Sequence, residues 1–289
     1  GRKFNNGEVS FDSVSELPYE TILEYAKSRG LQTALISTSS VTHATPAAFG
    51  SHVRSRSCEN EIARQYVTET RVDVILGGGS SYFTSSTADA CGVSGDFLAI
   101  AKSNQYEVVN NKNQLQTTSS LKLLGLFATV GLTPMYNRTM DTTEPTLSEM
   151  SEKTLELLAN SENGFFMMIE GSQIDWANHA NDISYQIGEV VEFNEAYKRV
   201  KSWVDADPIR KANTLIVVTS DHETGGFSIT GPIGSLPVAG DIVLDSWSTT
   251  GHTATDVLVW SEGKYTESLD RGSDNTEIYN VIKQFLDKE

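Results

Sequence analysis

The chain has 289 residues, 38% of them apolar, and a formal net charge of −16. The apolar share is enough for the core of one large domain, and that much negative charge argues against a nucleic-acid or anionic-membrane surface as partner. It leaves anionic substrates open, since metals and an Arg invert the sign locally. No apolar run approaches the roughly 20 residues of a membrane-spanning helix.

Strand and helix patterns alternate along the chain. Residues 18–29 predict a helix closed by Gly30, which feeds a strand over 33–38. His43 follows in a loop, and Thr45-Pro46 predicts a helix start with Thr45 as N-cap. Residues 72–76 read as a short buried strand ending in Gly77-Gly78-Gly79, where the backbone must turn sharply or approach something closely. A helix over 96–105 precedes strands over 106–109 and 123–127, and residues 128–145 read as irregular. The capping box Thr146-x-x-Glu149 opens a helix to Ala159. The apolar run 165–169 predicts a buried strand ending in Glu170, with Asp175 and His179 close behind. Ile183, Ile187, Val190, Tyr197 and Val204 mark a long amphipathic helix that stops before Pro208. A second apolar, β-branched run, 214–219, predicts another buried strand and ends in Ser220-Asp221-His222. Gly251-His252-Thr253 lies in a polar loop before a strand over 256–260. The last helix, 277–287, is expected to bury Ile278, Ile282 and Phe285. The alternation predicts a single α/β domain over residues 1–289, with a mostly parallel sheet and helices on both faces. Cys58 and Cys91 either pair or stay as two thiols, and Asn137-Arg138-Thr139 is a glycosylation sequon by pattern.

In open α/β sheets, ligands sit outside the carboxyl ends of the strands, and here those ends carry charge. Asp175 and His179 lie four apart, so a helical turn puts a carboxylate oxygen and an imidazole nitrogen on one face. That pair alone also reads as an N-cap Asp with a surface His. The chain has only five His, however, and His179, His222, His252 and His43 all fall near strand ends. This concentration predicts a multinuclear metal site.

Four blocks, spread over the whole chain, resemble the alkaline phosphatases. They are His43-Ala44-Thr45-Pro46-Ala47-Ala48 with Arg56 downstream, VDVILGGG over 72–79, EGSQIDWANH over 170–179 and SDHETGG over 220–226. The resemblance implies the alkaline-phosphatase-like three-layer α/β fold. It also implies a phosphate monoester hydrolase that works through a phosphoserine intermediate with two zinc ions and a magnesium ion. Asp175, His179 and His252 would hold the first zinc, Asp221 and His222 the second, and Thr45 and Glu170 the magnesium. Imidazole and carboxylate suit zinc, and hard oxygens suit magnesium. Arg56 would clamp phosphate, since a planar guanidinium matches two phosphoryl oxygens. His43 and Trp176 stand where enteric bacterial members carry Asp and Lys, and would lie just outside the ligands. Inorganic phosphate as a further ligand, a homodimer, and a periplasmic or secreted location are implied in the same way, although no signal peptide is legible from Gly1 onward.

The family's serine nucleophile sits in an Asp-Ser-Ala element, and this sequence has none. Its Asp-Ser pairs, Asp12-Ser13 and Asp245-Ser246, lack the small residues that would follow. By the resemblance, the natural polypeptide is expected to extend upstream of Gly1 by about a hundred residues. A sulfatase, phosphodiesterase or metal-dependent mutase of the same broad superfamily would share the strand-end Asp/His pattern, but not the Thr45 to Arg56 block. A non-catalytic metal- or phosphate-binding protein is the alternative that the missing serine permits.

Overall fold

Five apolar runs pair into one sheet: β1 (Gln32–Ser40), β2 (Val74–Gly78), β3 (Glu107–Val109), β4 (Leu123–Leu126) and β5 (Phe165–Glu170). All neighbours are parallel and the spatial order is β3-β4-β2-β1-β5. The structure is a computed structural model, and it describes residues 1–140, 142–230, 244–270 and 272–288.

Successive side chains of a strand leave opposite faces, and both faces of this sheet are covered. On one face, Leu35, Ile75, Leu124 and Met168 pack with Leu23 of α1 (Ile22–Ser28), Ala47 of α2 (Ala44–Gly50), Tyr66 of α3 (Glu59–Thr68) and Phe97 of α4 (Phe97–Ser103). Further along the chain lie α5 (Leu147–Leu158), α6 (Gln173–His179) and α7 (Ile183–Asp205). The opposite face, made by Ala34, Ile36, Val74, Leu76 and Leu123, packs on Leu147 and Met150 of α5 and Ala196 of α7. Each buried Leu- or Ile-sized side chain stabilises this arrangement by about 1.5–3 kcal/mol. The expected parallel α/β sheet with helices on both faces is what forms.

Local signals set several boundaries. Thr146 and Glu149 form the capping box of α5, and Thr21 and Glu24 form another at α1. Helix α1 starts later than its pattern predicts because Leu17–Pro18 pairs with Phe11–Asp12 and leaves Thr21 to cap. Helix α2 starts earlier, with His43 rather than Thr45 as N-cap, so Thr45 lies in the first turn with its hydroxyl turned to Glu170. The glycine run ends β2 in close contact with the 128–131 segment, where a Cβ on Gly78 would lie 1.8 Å from the Val130 carbonyl oxygen. Cys58 and Cys91 form a disulfide with a Cα–Cα distance of 5.3 Å. Asn137 is exposed at the end of a short turn, Met135–Asn137.

Three expectations of burial are corrected. Strand β5 is the sheet edge, so Phe165, Phe166, Met167 and Ile169 are half-buried. Downstream lie β6 (Ile216–Thr219), β7 (Glu223–Thr224), β8 (His252–Thr253) and β9 (Val259–Glu262). Strand β6 pairs antiparallel with β9 outside the main sheet and is also half-exposed. An apolar run specifies a strand, not the sheet that receives it. Helix α8 (Thr276–Lys288) packs on α1, so only Val281 is buried while Ile278, Ile282 and Phe285 are half-buried.

Candidate metal centre

The first turn of α6 carries Asp175 and its last turn carries His179, so the four-residue spacing puts both on one face. His179 Nε2 lies 3.4 Å from Asp175 Oδ1. A third donor comes from the β7–β8 pair, where Thr224 and His252 are cross-strand partners. His252 Nε2 is 3.6 Å from Asp175 Oδ1 and 3.2 Å from His179 Nε2. A tetrahedral ion with bonds of about 2.0–2.1 Å separates its ligand atoms by roughly 3.3–3.4 Å. The three donors therefore already have zinc spacing. His179 Nδ1 lies 2.6 Å from the Thr250 carbonyl oxygen. A carbonyl only accepts, so Nδ1 carries the proton and Nε2 keeps its lone pair for the site.

His222 adjoins this group. Its ring stacks on His252 with centroids 3.5 Å apart, and Asp175, His222 and His252 offer donor atoms within 4.8 Å of one another. Its Nε2 lies 3.1 Å from Asp221 Oδ2. The other ring nitrogen, Nδ1, lies 3.1 Å from Thr224 Oγ1, which donates to Asp175 Oδ1 at 2.6 Å. The two zinc sets implied by the sequence are thus contiguous.

Glu170 ends β5, where the Ser37 hydroxyl donates to Oε2 at 2.6 Å. Burial pushes its carboxyl above the ordinary range, and the charge of Asp221 adds to this, while the hydroxyls of Ser37, Thr45 and Ser172 hold it down. The structure thus brings the Thr45 hydroxyl to the Glu170 carboxyl, in a setting of hard oxygens.

Arg56 is exposed, and its Nη2 donates to His43 Nε2 at 3.2 Å. Burial pushes the His43 ring below its ordinary pKa, and the Arg56 charge lowers it further. The His43 ring meets Trp176 edge-on at 5.9 Å. Trp176 in turn lies where a Cβ on Gly131 would sit, 2.7 Å away. This chain of contacts joins the phosphate-clamp candidate to the residue next to Asp175.

Three polar contributors were not legible in the sequence. Ser37 and Ser172 are buried beside Glu170, and Thr224 is 3% exposed between Asp175 and His222. The signals available were the polar tail of β1, Ser37-Thr38-Ser39-Ser40, an odd end for a buried strand, and the place of Ser172 and Thr224 inside the blocks 170–179 and 220–226.

The family model for alkaline phosphatase matches residues 1–239. The chain belongs to the alkaline phosphatase family. Within that family, alkaline phosphatase 3 of Bacillus subtilis is 38% identical over 233 residues, covering 79% of this chain and 47% of the relative. Alkaline phosphatase H of Pseudomonas aeruginosa is 30% identical, over 99% of this chain and 70% of the relative. The chain superposes on the cold-active alkaline phosphatase of a psychrophilic Shewanella with a TM-score of 0.83 at 29% identity, covering 97% of this chain and 81% of that one. For the alkaline phosphatase of the Antarctic bacterium TAB5 the TM-score is 0.82 at 32% identity, covering 99% and 80%. A variant of the TAB5 alkaline phosphatase was solved with Mg bound in its M3 site. The chain spans about half the length of the two Bacillus subtilis alkaline phosphatases it matches.

Proposed function

We propose that these residues form the metal and phosphate sites of a phosphate monoester hydrolase of the alkaline phosphatase type. The observation that carries the reading is the convergence of Asp175, His179 and His252 donors at 3.2–3.6 Å in a member of this family. Those three would hold one zinc, Asp221 and His222 a second, and Thr45 and Glu170 a magnesium. Metals bound there supply charge stabilisation for the attacking and leaving oxygens of an in-line displacement at phosphorus.

The chain's own groups do the orienting. Arg56 offers a planar fork, of which His43 takes one N–H, and a bidentate clamp on phosphate needs two. The hydroxyls of Ser37, Thr45 and Ser172 fix the Glu170 carboxylate at the strand end. The Thr250 carbonyl turns the His179 ring so that Nε2 faces the site. The serine that would form the phosphoserine intermediate lies, in this reading, outside the 289 residues. The Cys58–Cys91 disulfide favours an oxidising compartment, in keeping with a periplasmic or secreted protein. A homodimer is the assembly expected by family analogy.

The test uses the natural polypeptide. Elemental analysis after dialysis should find more zinc than any other transition metal. Hydrolysis of an aromatic phosphate monoester at alkaline pH should be lost with a strong chelator. Protein without bound divalent metal, or turnover that survives the chelator, overturns the reading.

A further inference from the structure

Thr224 is 3% exposed and lies where three candidate metal ligands meet. Its hydroxyl donates to Asp175 Oδ1 at 2.6 Å and lies 3.1 Å from His222 Nδ1, and its backbone partner across the ladder is His252. A Thr hydroxyl has one proton to give and lone pairs to receive with. An ionised carboxylate only accepts, so that proton goes to Asp175. The remaining contact must then run from His222 Nδ1–H to the Thr224 oxygen. His222 Nδ1 is thereby protonated, and Nε2 faces Asp221 Oδ2 at 3.1 Å, a contact that an ion shared by the two, with Nε2 giving its lone pair, would satisfy.

We propose that Thr224 is a positioning residue of the metal centre, whose single hydroxyl sets the Asp175 rotamer and the His222 tautomer together. The inference rests on the metal reading given above. The buried hydroxyls of Ser151 and Thr154 are satisfied by carbonyls one helical turn back. Thr224 instead joins two side chains from separate elements, Asp175 of α6 and His222 of the loop between β6 and β7. Groups that orient metal ligands through a second hydrogen bond change metal affinity without touching the ion.

Thr224→Val keeps the shape and removes the hydroxyl, and Thr224→Ser keeps the hydroxyl and removes the methyl. Two readouts are needed on the full chain. The first is imidazole 15N NMR of the metal-free protein at alkaline pH, with His222 identified by the signals lost in His222→Gln. Wild type and Thr224→Ser should show more of His222 protonated at Nδ1 than Thr224→Val, in which only Asp221 remains to accept the ring proton, at Nε2. The second is zinc affinity by chelator competition, which should weaken about 10- to 100-fold in Thr224→Val and recover in Thr224→Ser. A Thr224→Val protein with the wild-type tautomer and zinc affinity overturns the proposal. So does a folded Thr224→Ser protein that fails to restore them. If wild type binds no zinc, the metal reading fails instead, and the tautomer measurement still decides the role of Thr224.

Discussion

Arg56 donates to Nε2 of His43 at 3.2 Å, so the candidate phosphate clamp is held by a neutral ring and not by a carboxylate. Burial and the Arg56 charge keep that ring below its ordinary pKa. A neutral acceptor offers a guanidinium one lone pair and no opposite charge, whereas a phosphate dianion offers charge and two oxygens to its fork, so Arg56 can turn to a phosphate dianion at little cost. Arg56→Ala should raise KM for an aromatic phosphate monoester and weaken inhibition by inorganic phosphate more than it lowers kcat, because the clamp serves ground state and transition state alike. Steady-state kinetics on the natural polypeptide checks this. A large fall in kcat with unchanged KM would remove Arg56 from the clamp.

Ligands and their surroundings should separate in rank. If the proposed ligand sets hold, His179→Ala or Asp221→Ala removes a metal donor and with it charge stabilisation of the transition state, so kcat should fall by orders of magnitude. His43→Asp and Trp176→Lys alter two side chains that meet each other, His43 being also the acceptor for Arg56, and changes of roughly 10- to 100-fold are typical there. Zinc content measured beside activity tells the two groups apart. A Trp176→Lys enzyme as damaged as Asp221→Ala would show that the ligand assignment is wrong.

The Glu170 carboxyl gives the metal-free chain a pH signature. Its folded-state pKa is raised, chiefly by burial. Such a group stabilises the fold fully below its ordinary value and withdraws that stability as pH rises through the raised one. Glu170→Gln cannot ionise. In thermal melts with chelator present, it should have the higher Tm at neutral and alkaline pH, with the difference closing toward acid. A variant that melts lower than wild type at alkaline pH would contradict the burial argument.

The disulfide closes a loop of 33 residues between the start of α3 and Cys91. The chain-entropy relation puts its contribution at about 3–4 kcal/mol. Cys58→Ser, or reduction of the native protein, should lower the denaturant midpoint accordingly. An unchanged midpoint would mean that Asn60, which donates to the carbonyls of Thr87 and Val93, already holds this loop without the bond.

Much of this molecule was legible because it is local. Apolar runs bounded by polar residues or glycine specified β1, β2, β4 and β5, and the Thr146 capping box placed α5, since strand propensity and capping involve residues close in the chain. The donor types were legible for the same reason: a Glu at a strand end, an Asp four residues from a His, an adjacent Asp-His pair. The tertiary structure alone decided the strand order, the edge position of β5 and the separation of β6 from the main sheet. Pairing and burial depend on neighbours far away in sequence. The convergence of Asp175, His179 and His252 is of this kind, because it needs the β7–β8 pair to carry His252 beside α6. The direction of the Thr224 hydroxyl depends on a carboxylate and an imidazole brought in by two different elements, so no local pattern could have announced it.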